Sequence, residues 1–236
     1  MGLMNKLREM HDNLVRLALE PERLDAWLEH LAGCGVQGEV EWRPHDLIDA
    51  KKGTGRSGWP LCYGKLRLQN TAIDRIHFIK GQMASSTSSS FIVKSTTRQK
   101  IMYEDRFYID AQAHLPVADV RAKRRPKRAY WIFGKILGWR WKGGRFAQKL
   151  AADRLLNDAL LQNDEGKITI RYNKRQRAYC IRRPYIGMTT TTTSGMFTGF
   201  KGEINPEYHF PAKEALQAYH RIAQYVRAEA GLPQKH

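Results

Sequence analysis

Two stretches of this chain place bases and aromatic rings where they suit a phosphate-bearing partner. In the first, RAKRRPKR, the bases are Arg121, Lys123, Arg124, Arg125, Lys127 and Arg128. It runs on as AYWIFGKILGWRWKGGR, with Trp131, Trp139 and Trp141 set among Lys135, Arg140 and Lys142. Aromatic faces stack on nucleic-acid bases for about 1–3 kcal/mol each, while Lys and Arg follow the phosphates. The same composition suits an anionic membrane surface, where rings settle at headgroup depth and each base adds about 1 kcal/mol. It also suits a core strand with buried rings flanked by solvated bases. The second stretch, Lys167 to Arg183, adds Arg171, Lys174, Arg175, Arg177, Arg182 and Arg183. With a period of two, Ile168, Ile170 and Tyr172 share one face, and Thr169 and Arg171 point the other way. Arginine binds phosphate through two parallel hydrogen bonds, and a two-stranded ribbon fits a nucleic-acid groove.

Catalytic patterns are thin. Glu165-Gly166-Lys167 has the ExK spacing of some metal-dependent nucleases, with Asp153, Asp158 and Asp164 upstream to hold Mg²⁺. The run Asn163 to Gly166 reads more simply as the turn between a helix and a strand. His45, Asp46 and Asp49 offer a metal pair with no third anchor. Gly53, Gly55 and Gly58 match GxGxxG, but Trp59-Pro60 follows where a dinucleotide fold needs a helix. The other histidines are scattered, and neither GxSxG nor a phosphate-binding Walker motif occurs. The sequence argues against an enzyme, with turnover of a phosphorylated substrate as the lesser alternative. It asks for no cofactor and no metal.

Composition narrows the class. The 236 residues are 42% hydrophobic and 27% charged, which is ordinary for a globular protein. Forty Lys and Arg against 23 Asp and Glu give a net charge of +17. Residues 1–50 hold ten acids against five bases, so the other residues carry +22. From Val120 to Ala152 there are eleven bases and no acid. Such a block repels itself and is expected to stay solvated. Its field attracts phosphates or an anionic membrane, and the acidic N-terminal segment is placed to cover part of it. No apolar run reaches the roughly 18–20 residues that span a bilayer. The first residues lack the apolar core of a signal peptide, and Cys34, Cys62 and Cys180 make no paired framework. A cytoplasmic home, with membrane association as a variant, follows.

The elements that position these residues read as α+β: an N-terminal helical hairpin, a mainly antiparallel sheet and a C-terminal helix. Met4–Leu19 and a helix opened by Pro21, with its stripe Leu24, Trp27, Leu28 and Leu31, form the hairpin. Strands are expected at Val36–Arg43, Leu61–Leu68, Arg75–Ile79, Phe91–Lys94, Ile101–Tyr103 and Arg106–Ala111. His45–Pro60 is expected to be a loop, and Ala84–Ser90 a mobile connector. One helix is expected over Phe146–Leu161. A hairpin follows, then a polar strand edge at Thr189–Thr193, a Gly-rich loop and a last helix from Pro211. The expected organisation is a single domain over 1–236 with a protruding basic segment near 113–145. Two small domains, 1–112 and 129–236, are the alternative. The functional expectation is a non-enzymatic polyanion binder, with nucleic acid as the lead partner and an anionic membrane surface as the runner-up.

Overall fold

The computed structural model describes residues 21–42, 61–89, 94–111, 117, 119–128, 136–194, 199–204 and 211–235. The first expected helix, Met4–Leu19, the loop His45–Pro60 and most of the strand Phe91–Lys94 lie outside them. Within them the protein is α+β and mostly sheet. Nine strands form one antiparallel sheet: β1 (Gly38–Trp42), β2 (Leu61–Leu68), β3 (Arg75–Ser89), β4 (Lys94–Asp110), β5 (Ala122–Arg128), β6 (Ile136–Gly143), β7 (Ile168–Asn173), β8 (Ala178–Ser194) and β9 (Gly199–Ile204). Eight of them are ordered β1-β2-β3-β4-β8-β7-β5-β6, and β9 pairs further along β8.

Among the described residues four helices accompany the sheet: α1 (Pro21–Gly33), α2 (Arg145–Ala152), α3 (Arg154–Gln162) and α4 (Lys213–Glu229). None is long and apolar enough to cross a membrane. The apolar stripe of α1 buries Leu24, Trp27 and Leu31, with Trp27 against Phe78 at 5.0 Å between ring centres. From α4, Tyr219 stacks on Phe107 of β4 at 4.6 Å. Strand alternation supplies the other half of this core through Leu66, Ile76, Phe107, Ile181, Ile170 and Ala122, successive partners across the sheet. One cluster of buried side chains therefore runs from Leu24 to Leu232.

Several expectations are corrected. The Ser-rich run is not a loose connector: residues 84–89 continue β3 and pair with Lys94–Gln99 in unbroken register. The separate strands expected at 101–103 and 106–111 are parts of the single 17-residue β4. The five threonines are no sheet edge, because β4 flanks them on one side and β9 on the other. The helix expected over 146–161 breaks at Asp153, whose carboxylate accepts a hydrogen bond from Leu156 N and starts α3 afresh. Leu150, Leu156 and Leu160 are buried, whereas Leu155 and Leu161 are exposed.

The basic run was expected to stay solvated, and most of it is strand β5. Like charge is tolerated because alternate side chains point to opposite faces and only one face carries the repulsion. Pro126 falls beyond the last pair with β7, where β5 is bordered in the described sheet by β6 alone, a position that tolerates proline.

A candidate polyanion groove

The helices cover one face of the sheet, and the other collects the bases. Partners across successive strands on that second face read Trp42, Lys65, His77, Arg106, Arg182, Thr169, Lys123 and Lys142. On the next row Arg125 faces Arg140 across β5 and β6. Between β8, β7, β5 and β6 lies an open groove of 1190 Å³. Of the fifteen described residues that line it, nine are Lys or Arg and none is acidic. They come from both sequence clusters: Arg121, Lys123, Arg124, Arg125, Arg140 and Lys142 from the first, Lys167, Arg171 and Arg182 from the second. Sheet pairing thus brings together residues far apart in the chain.

Not every expected residue joins them. Lys127 lies beyond the groove lining, and Lys174, Arg175 and Arg177 are exposed at the hairpin tip, with Arg177 in a left-handed conformation at φ 44°. Arg128 ends β5, and Trp131 lies outside the described residues. Arg124 borders the groove by position, but it is 2% exposed on the helix side of β5. Its guanidinium donates to the carbonyls of Glu165 and Gly166 and lies 4.9 Å from the Trp139 ring centre. Burial works to lower its pKa and outweighs Tyr219, Glu165 and Asp164. Trp139 and Trp141 share that side, and Trp141 Nε1 donates to Asn157 Oδ1 at 2.9 Å. The rings and bases that alternate in sequence are therefore separated by the sheet, rings towards the helices and Arg140 and Lys142 towards the groove.

The groove bases differ in how they are compensated. Arg182 and Arg106 both donate to the Glu104 carboxylate, with Arg182 Nε at 2.8 Å. Burial works to raise the Glu104 pKa, but these two partners hold it below the usual range. Arg121, Lys123, Arg125, Arg140, Lys142, Lys167 and Arg171 make no salt bridge with a described acid. Lys167 and Arg182 belong to the basic hairpin expected from sequence to meet phosphates, whereas Thr169 was not expected as an anion contact. The signal was available, because Lys167, Thr169 and Arg171 alternate along one strand face.

Beneath the sheet the nuclease-like acids have other work. Glu165 is 3% exposed and accepts from Arg183 Nε at 2.7 Å and from Tyr219 Oη at 2.7 Å. Arg183 also donates to Asp105 at 3.0 Å. Burial opposes the Arg183 charge, yet Tyr219, Glu165 and Asp105 hold its pKa raised. Asp153 caps α3 and pairs with Arg221. Glu165 and Lys167 do not converge: one is buried among the helices, the other lines the groove. Among the described residues no group of acids, histidines and cysteines could hold a metal ion.

Comparison with protein-family models, with curated proteins and with solved structures finds no match to this chain.

Proposed function

We propose that this chain is a non-enzymatic polyanion-binding protein whose partner is nucleic acid, held in the groove between β5, β6, β7 and β8. The observation that supports the reading is the convergence of two basic clusters on one groove whose described lining has no acid. Attraction is mainly electrostatic, since each phosphate neutralised by Lys or Arg releases condensed counterions. A concave groove admits a rod-like polymer more readily than a flat bilayer, which favours nucleic acid over an anionic membrane. The free thiols Cys34 and Cys180 suit a reducing, cytoplasmic setting.

The test is a polynucleotide titration by fluorescence anisotropy at low and high salt. Lys123→Glu and Arg171→Glu, one from each cluster, are each expected to weaken binding about tenfold and together to compound. Binding that is absent, or indifferent to salt, overturns the reading.

A further inference from the structure

The groove's geometry and chemistry narrow the partner further, on the reading just proposed. Its bases form a two-dimensional array rather than a line. Along β5 and the residue that precedes it, Arg121, Lys123 and Arg125 recur every second residue, about 7 Å apart. Across the sheet, Lys142, Lys123, Thr169 and Arg182 occupy neighbouring strands, so this row spans about 14 Å in three steps of about 4.8 Å. A single strand presents one line of phosphates. A duplex presents two, flanking grooves about 6 and 12 Å wide, and an array this broad meets both.

The lining chemistry agrees. Among the described residues no aromatic ring lines the groove. Both tryptophans of β6 are turned to the other face, one beside Arg124 and one bonded to Asn157. Binding of single strands depends on rings on which bases stack, and the described lining offers none. In its described lining the polar side chains other than Thr169 are all Lys or Arg, with no Asn or Gln to pair with adenine and no Asp or Glu to accept from cytosine. Contacts to phosphates fix position without carrying sequence information.

We infer that the groove holds double-stranded nucleic acid by both of its backbones, without reading sequence, with Thr169 near the centre between Lys123 and Arg182. The full chain is titrated with a labelled duplex of about 20 base pairs, a second duplex of unrelated sequence, an oligo-dT strand of equal length, and vesicles containing anionic lipid. The duplexes are expected to bind within about threefold of each other and about tenfold more tightly than the strand. Arg125→Gln and Arg171→Gln are expected to weaken the duplex about tenfold each, while Lys174→Gln and Arg175→Gln at the hairpin tip change it less than about threefold. Gln removes the charge on a shorter but still polar, unbranched side chain, and circular dichroism checks that each variant folds. A strand that binds as tightly as the duplexes, or a strong preference between duplex sequences, overturns this inference and leaves nucleic-acid binding standing. Binding to vesicles alone overturns both.

Discussion

At the scale of single residues, the phase of each side chain along its strand decides its role more than its type does. Arg124 and Arg125 are neighbours of one type, yet one is 2% exposed beneath the sheet and the other lines the groove. That phase was readable along β7, where apolar residues mark it, but not in RAKRRPKR, whose bases hide the alternation. His77 shows the same principle with a thermodynamic consequence. It belongs to the basic row, yet it is 4% exposed, packs on the Tyr108 ring at 4.5 Å, and its buried Nε2 has no hydrogen-bond partner. Burial, with Lys65, Arg75 and Arg106 around it, pushes its pKa down to about 3 from 6.5. The folded imidazole therefore stays neutral where the unfolded one takes a proton. Its contribution to stability is fully present above pH 6.5 and falls as the pH drops towards 3, at up to about 1.4 kcal/mol per unit. Urea unfolding of wild type and His77→Phe across that window checks this, and the variant is expected to show a shallower slope. Equal slopes would assign the acid sensitivity to another group.

At the scale of elements, the groove depends on how β6 is held against β5 and turned into α2. Gly143 ends β6 opposite Ala122 with φ 150°, and a Cβ there would lie 2.6 Å from the Arg121 carbonyl oxygen and 3.1 Å from Ala147 Cβ. Gly143→Ala is expected to cost about 1–3 kcal/mol and to weaken polynucleotide binding, because Lys142 moves with the displaced strand. Gly144 has open space around it, so Gly144→Ala is expected to cost less than about 1 kcal/mol and to leave binding intact. Thermal melts and titrations of the pair check the contrast, and similar losses in both would remove the steric explanation. Elements with a local apolar rhythm were legible in sequence: the stripe of α4, the alternation of Leu61–Leu68 and the paired strands of the 168–183 hairpin. Those defined by long-range pairing were not. The Ser and Thr residues of β3, β4 and β8 carry no apolar alternation, and only their mutual register makes them strand. The apolar spacing of 146–161 runs straight through Asp153, so the capping contact that divides the helix was hidden. Convergence of the two basic clusters depends on β5 pairing with β7, a contact that neither segment announces by itself.

At the scale of the whole molecule, charge is separated across the sheet. The acidic segment, as far as it is described, ends in β1 with Glu39 and Glu41 exposed, while β5 and β6 close the opposite side of the strand order. The described part of that segment does not shield the groove, as its charge had suggested. The centre of the groove lies five to six strand steps from β1, about 25–30 Å at about 4.8 Å per step. That distance fixes what the acids can do. At about 0.15 M salt the Debye length is about 8 Å, so their field is screened before it reaches the groove. At about 0.01 M it is about 30 Å and the two regions interact. The double variant Glu39→Gln, Glu41→Gln is therefore expected to leave duplex affinity unchanged at the higher salt and to raise it at the lower. The seven groove bases without a described salt bridge set the scale for comparison: if all engage phosphates, log affinity falls against log salt with a slope of about −6. Each neutralised groove base should flatten that slope by about 1, whereas the distant Glu variants should make it slightly steeper at the low-salt end only. An equal gain in affinity at both salts would mean that the acidic segment lies against the groove in solution, and the separation of charge along the strand order would not describe the working molecule.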